Sequence, residues 1–457
     1  MIDEVARFAV QAEPGPAALQ SAALCLVDTI GVMLAGSAHP DVRVLEGSLP
    51  AAASSDATAA CLWSDRSFCR DDAALLYGMA SHILDYDDVS LLAICHPSVP
   101  VVSALAAWSA GRDISGRAFL AAYAIGTEVL IRIGEVMGPV HYALGFHATA
   151  TLGTIGAAAA LARLSGLDQE RTREALNIAA SLAGGLQSNF GSSVKSLHVG
   201  FAASAAVRAV DLAQAGLTAS ADAFAPRGFF HAFSGGEVDA WAAPLNLGAP
   251  FAIERPGFEQ KRFPCCYMLH RMLAGTLALR ERHSLDLENV RAIVLRYPTG
   301  GTVPLRYPRP TSGMQGLFSA PYACLSALAD GRVNLASFSD SAVRRPAIQA
   351  RIDDVSVIET SELLREGGLS TSPVEVELEL QDRRIVSIRI DRAPGSHEDP
   401  LTDDQRSAKW IDCLRQPFPA IDSSRAKAAY DAGVRIAADG VMPWFEQIRG
   451  LACSAVD

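Results

Sequence analysis

The sequence predicts a mainly α fold, in which both termini form a large all-α helical domain and a smaller α+β domain is inserted between them. Three observations carry this expectation. Alanine-rich segments with apolar residues at helical spacing fill roughly the first 250 residues. Alternating, β-branched segments appear only after about Pro256. Helical spacing then returns beyond Pro400, through Trp410, Tyr430 and Ile436. The expected boundaries are 1–256 for the helical domain, with 400–457 packing back onto it, and 257–399 for the α+β domain.

In chain order, helices are expected over 17–34, 103–110, 118–137, 152–164, 172–183 and 202–215, with Gly36, Gly111, Gly166 and Gly216 as punctuation. The segment 153–164 carries almost no charge, and a helix apolar all round is a buried one. In the second region, 289–297 alternates and is β-branched. Residues 374–380 (VEVELEL) and 385–390 (IVSIRI) alternate around a polar QDRR turn, the pattern of an antiparallel hairpin. Helical patterns at 267–280 and 322–329 lie between these strands.

Composition excludes several classes. The net charge of −11, with no basic run of five residues, argues against a nucleic-acid partner. The nine cysteines are scattered, odd in number and without a CxxC pair, so neither a disulfide framework nor structural zinc is expected. Cys265 and Cys266 are adjacent, with no matching Cys/His set nearby. The N-terminus lacks a signal pattern, and the longest uncharged apolar run found, 149–162, is short of the ~20 residues a bilayer needs. A soluble cytoplasmic protein with no membrane partner is the expectation. No GxGxxG follows a strand, and no Walker loop, GxSxG elbow or HExxH occurs. No cofactor and no metal are expected.

The chemistry-bearing residues fall in a few blocks. Segment 77–100, YGMASHILDYDDVSLLAICHPSVP, packs His82, Asp85, Asp87, Asp88 and His96 into fifteen positions, as either a polar helix end or a reaction site. His82 and Asp85 are spaced i, i+3, so on a helix Asp85 would orient or charge His82. Asp87 and Asp88 would face water or accept from backbone amides at the helix end. Pro97 disfavours helix at His96, so the next helix should begin there with amides open to an anion. His141 and His147 bracket a Gly145 turn before a buried helix, and each is a structural hydrogen-bonder or a functional group. Tyr142 is an anchoring phenol or an acid/base. Lys195, again i, i+3 from His198, is either an exposed lysine or a buried cation whose pKa its surroundings would shift. Lys261, Arg262 and His270 flank KRFPCCYMLH, and Tyr322 in FSAPY is open between packing and function.

Taken together these blocks resemble the MmgE/PrpD family, which includes 2-methylcitrate dehydratases, cis-aconitate decarboxylases and iminodisuccinate epimerases. The resemblance runs nearly end to end. It covers LVDTIGVMLAG at 26–36, GMASHILDYDD at 78–88, HPS at 96–98, GFHATATLGT at 145–154 and NFGSSVKSLHVG at 189–200. It continues through KRFPCCYMLH at 261–270, FSAPY at 318–322 and PGSHEDPLTDD at 394–404. It implies a helical domain from both termini, an α+β lid from the middle, a homodimer, and cofactor-independent chemistry on small polycarboxylates. Asp85, His96, His147, Lys195, His270 and Tyr322 fall on family active-site positions. Tyr142 and Lys195 resemble the two acid/base groups of the epimerase branch.

With that resemblance in hand, Lys195, Tyr142, His147, His96 and Asp85 are the expected catalytic residues. His270, Tyr322, His198, Arg262 and His82 are the expected substrate-binding residues, and Asp87 and Asp88 are left to the helix end. Tyr77, Val89, Ser204 and Leu317 depart from residues common in relatives, and the long dehydratase-branch motif is absent. The expected function is a lyase or isomerase (dehydratase, decarboxylase or epimerase) acting on a small di- or tricarboxylate by proton transfer beside a carboxylate. The alternative is a non-catalytic polycarboxylate-binding or scaffold protein on the same fold.

Overall fold

A computed structural model describes residues 1–53, 57–238, 244–365 and 368–453. The fold is mainly α. Its backbone divides into two compact units: Met1–Ile83, Asp87–Phe258 and Asp403–Asp457 form one, and Leu84–Tyr86 with Glu259–Thr402 form the other.

The first unit opens with α1 (Ile2–Gln11), α2 (Pro16–Gly36) and α3 (Pro40–Ser48). A ribbon of β1 (Thr58–Ala60) and β2 (Ser67–Cys69) leads into α4 (Arg70–His82). Then come α5 (Ser98–Ser109), α6 (Gly116–Ala143), α7 (Ala148–Leu164), α8 (Gln169–Leu182), α9 (Ser193–Gln214) and the short α10 (Phe229–Phe233). Every residue of α5, and α7 from Ala148 to Ala162, is buried, which is why these stretches carry no charge. Proline stands at the first position of α2, where no helical hydrogen bond is lost. α6 bends at Gly138, whose φ of 62° only glycine adopts freely, and Pro139 follows without an N–H to continue the ladder.

One glycine contact sets the site. A Cβ on Gly78 of α4 would lie 2.6 Å from the Cα of Gly200 in α9, so the two helices meet backbone to backbone. That crossing brings the C-terminal end of α4, with His82, beside the first turns of α9, with Lys195 and His198.

The second unit is built on a four-stranded sheet in the order β4-β3-β5-β6, from β3 (Val290–Pro298), β4 (Val355–Thr360), β5 (Val374–Leu380) and β6 (Ile385–Ile390). The hairpin of β5 and β6 lies where the alternation predicts it. The valines and leucines of β5 are buried, and Glu375, Glu377 and Glu379 pair across strands with Arg389, Arg296 and Arg291. Sequence reading misses β4, which pairs parallel to β3 at the sheet edge; four of its six residues are exposed, so no burial pattern marks it. Helices α11 (His270–His283) and α13 (Ala320–Asp330) supply much of this unit's core, with the short turns α12 (Gly313–Gly316), α14 (Asp340–Val343) and α15 (Pro346–Gln349) around them.

The chain returns to the first unit as α16 (Asp403–Arg415), α17 (Ser423–Val434) and α18 (Val441–Cys453). Lys409 of α16 pairs with Asp28 of α2 at 2.8 Å, both side chains being nearly fully buried. Among the described residues α2, not 149–162, is the apolar helix long enough to cross a membrane by length and composition. Most of it is packed inside the unit, and its one acid is matched by Lys409.

Candidate active site

α4 stops at His82, and the following turn does not continue the helical spacing expected of His82 and Asp85. Asp85 takes a left-handed φ of 48°, and its carboxylate and carbonyl both accept from Lys261 Nζ, at 2.9 and 2.8 Å. The buried acid that meets His82 is Asp87. His82 Nδ1 lies 2.8 Å and His96 Nδ1 2.9 Å from the same Asp87 Oδ2. Placing Asp87 at a solvated helix end is therefore corrected: the turn swings it inward, and its side chain is fully buried.

Asp88 is buried as well and accepts from the amide and hydroxyl of Ser98, whose oxygen lies 2.6 Å from the Tyr123 hydroxyl. This clamp, a bridge between Ser90 and Cys95, and donation from the His96 amide to Thr149 Oγ1 at 3.1 Å fix the loop that carries His96.

Around this carboxylate four imidazoles gather. The His82 ring lies 4.5 Å from that of His96 and 5.7 Å from that of His147. His147, the residue before α7, is held by donation from its amide to the Gly185 carbonyl at 3.0 Å. Its Nδ1 is 3.3 Å from Nδ1 of His198. Lys195, 5% exposed, sits with its Nζ 5.4 Å from the centre of the Phe190 ring, which also packs edge-on against His147. Lys195 is thus buried and is not the exposed lysine of the two sequence alternatives. Tyr142 lies half-buried in the last turn of α6, and its carbonyl accepts from Gln187 Nε2 at 2.6 Å.

The electrostatics follow from burial. Burial would raise Asp87, but the two imidazoles bonded to it outweigh that and hold it well below the usual carboxylate range. Burial pushes His82 down to about 3 against the pull of Asp87, leaving a neutral ring that donates from Nδ1. His147 is driven well below its ordinary value by burial and by the neighbouring His82, Lys195 and His198. His198 is lowered by burial and then by Lys195. Nε2 of His82, Nε2 of His147 and Oδ1 of Asp87 are buried without a hydrogen-bond partner among the described residues. Such atoms in native folds call for an explanation, and a polar ligand is one. His82, Asp87 and His96 are donor types a divalent metal would accept. Both Nδ1 atoms lie within 3 Å of one carboxylate oxygen, and with Asp85 these donor atoms fall within 4.8 Å of one another.

The remaining expected residues lie in the second unit. His270 begins α11, fully buried between the rings of Phe263 and Tyr267, with Nε2 3.4 Å from the Cys265 carbonyl. Tyr322 is fully buried in the first turn of α13, and its hydroxyl donates to the Ser337 carbonyl. The Arg262 carbonyl accepts from the Tyr86 hydroxyl. Lys261, unassigned by sequence reading, is the buried partner of Asp85.

An ionised buried carboxylate, neutral imidazoles with unpartnered nitrogens and a buried lysine are the parts of a proton-transfer site on a helical scaffold. The sequence comparisons agree with this class. The MmgE/PrpD N-terminal domain matches residues 3–241 and the MmgE/PrpD C-terminal domain residues 263–432. The chain belongs to the MmgE/PrpD family. Cis-aconitate decarboxylase of Homo sapiens is 28% identical over 354 residues, covering 74% of this chain and 71% of that protein. The cis-aconitate decarboxylase-like protein oryM of Aspergillus oryzae is 26% identical over 387 residues, covering 79% of this chain and 78% of that protein. Cis-aconitate decarboxylase of Aspergillus terreus is 27% identical over 312 residues, covering 63% and 62%.

Proposed function

We propose that this chain is a cofactor-independent carboxy-lyase that decarboxylates a small unsaturated tricarboxylate, with cis-aconitate the first substrate to test. The observation that carries the reading is a buried lysine, Lys195, one turn before His198 on α9 and beside the imidazole cluster, in which His147 keeps an Nε2 with no hydrogen-bond partner among the described residues. The names of the relatives favour decarboxylation over the dehydration and epimerisation that the family also performs.

In this reading Lys195, His82 and His96 bind the substrate carboxylates. Loss of CO2 leaves the bonding electron pair on carbon, where a fixed cation in a dry site stabilises it. His147 supplies the proton that completes the new C–H bond, and Asp87 holds His82 and His96 in place. His270 and Tyr322 belong to the lid that the family resemblance implies. The protein acts as a cytoplasmic homodimer with no nucleic-acid or membrane partner.

The test is incubation with a di- and tricarboxylate panel in D2O followed by NMR. Loss of a carboxylate carbon with deuterium at the new C–H supports decarboxylation. New olefinic signals without carbon loss would replace it with dehydration, and deuterium entry without net conversion with epimerisation. Binding without any product would favour the non-catalytic alternative. Lys195→Ala is expected to abolish turnover while the fold, followed by circular dichroism, is retained; near wild-type turnover would remove Lys195 from the mechanism.

A further inference from the structure

We propose that His198 and His147 form a proton relay joining the buried histidine cluster to a surface cavity of the helical unit. The cavity has a volume of about 500 Å³, room for several waters at ~30 Å³ each. It is lined by Leu75, Thr154, Leu182, His198, Phe201 and Ala205, among others. Leu182 and Phe201 are 46% and 55% exposed, so the cavity meets the surface. His198 belongs to both places: it lines the cavity, and its Nδ1 lies 3.3 Å from Nδ1 of His147. His147 is 2% exposed, and its Nε2 has no hydrogen-bond partner among the described residues. The two imidazoles thus span from cavity to cluster in a single hydrogen bond.

Gly185 lies against both residues. Its φ of +131° is glycine territory, and a Cβ there would lie 3.3 Å from His147 Cβ and 3.4 Å from His198 Cγ. A bare backbone at this point fits between Ala150, the His147 Cβ and the His198 ring.

The chemistry balances. A neutral imidazole has one N–H and one bare nitrogen, so of two facing Nδ1 atoms one donates and one accepts. His147 gives its Nε2 proton to the acceptor in the site, and the Nδ1 proton of His198 crosses to His147 Nδ1. A cavity water then protonates His198 at its other nitrogen and leaves as hydroxide, which the buffer neutralises. One proton enters for each one delivered; the hop leaves each ring in its other tautomer, and rotation of both rings returns a proton to His147 Nε2 and to His198 Nδ1 before the next turnover. Burial lowers both rings, so both start neutral, the state this exchange needs. The relay deepens the proposed proton transfer and rests on it for its purpose, though not for its test.

The first arm needs no substrate. In 15N-imidazole NMR, the ring N–H protons of His147 and His198 should exchange with water. Filling the cavity by Ala205→Phe, or by Leu182→Trp should the first variant fail to fold, should slow that exchange at least about 10-fold. Unchanged exchange in a folded cavity-filled variant would overturn the relay. The second arm is turnover. His198→Ala should lower kcat by about 10-fold or more, part of the ~10²–10⁴-fold of a general acid, with KM within about twofold. Imidazole added to the buffer should restore kcat saturably. A kcat unchanged in His198→Ala, a loss that imidazole leaves untouched, or a change in KM alone would sink the relay. Wild-type protein inert towards the whole polycarboxylate panel would instead defeat the proposed function, with the exchange arm still deciding the relay.

Discussion

His141 and His147 stand six residues apart on either side of one turn, both buried, and they differ in one respect. His141 is satisfied at both nitrogens: Nδ1 is 2.9 Å from the Phe233 carbonyl and Nε2 2.7 Å from Thr151 Oγ1, while its ring stacks on Phe146. His147 has one nitrogen against another histidine and one with no partner among the described residues. Burial lowers both. The contrast teaches that burial of a polar side chain does not distinguish scaffold from chemistry; the count of its satisfied atoms does. Sequence spacing gave the two residues the same alternatives, and only the partners separate them.

The widest way to break this contrast is to remove each ring in turn. His147→Gln should lower kcat by ~10²–10⁴-fold while the thermal midpoint stays near wild type. A large midpoint shift with activity intact would make His147 a second structural histidine. His141→Leu should do the reverse, costing about 1–3 kcal/mol because the Phe233 carbonyl loses its buried donor, with kcat within about twofold. Urea unfolding and steady-state kinetics on the same preparations read both.

The smallest effect is in pH. Burial pushes His82 from its ordinary 6.5 down to about 3. The unfolded chain therefore binds a proton there that the folded chain refuses, and stability contributed by neutral His82 is lost as pH falls below 6.5. Asp88 runs the other way. Burial lifts it from 3.8 to about 7 against the hydrogen bonds of Ser98, so the folded chain holds a proton the unfolded chain has released. Its contribution is present below pH 3.8 and lost as pH rises through about 7. Between about pH 4 and 6.5 the two slopes oppose each other. Asp88→Asn removes one of them, and acid should then cost up to about 1.4 kcal/mol more per pH unit than in the wild type. Urea midpoints from pH 4 to 8 measure this, and parallel curves would mean Asp88 is ionised in the fold.

The sequence was readable where one physical pattern dominated. α5 and α7 lie in uncharged stretches because they are buried on all sides, and the β5–β6 hairpin alternates because one face is covered. β4 escaped because an exposed edge strand needs no apolar face. In the site, His82, His96, His147, Lys195 and His198 were legible as residues that sit awkwardly in apolar sequence, and the structure brings them together. Asp87 was not legible, because its direction depends on a left-handed Asp85 that the Lys261 ammonium holds from far along the chain. Helical spacing had instead pointed to Asp85 as the partner of His82.

The backbone contact of Gly78 with Gly200 gives the cluster an unusual kind of tolerance. Where two helices touch through side chains, each change of residue shifts their register a little, and anything mounted on them drifts. Here the stop is peptide against peptide, so the offset between His82 on one helix and His198 on the other is indexed by atoms no ordinary mutation alters. The same stop makes the two glycines themselves irreplaceable, since a single methyl group at either one would pry the helices apart at the place where their alignment is read.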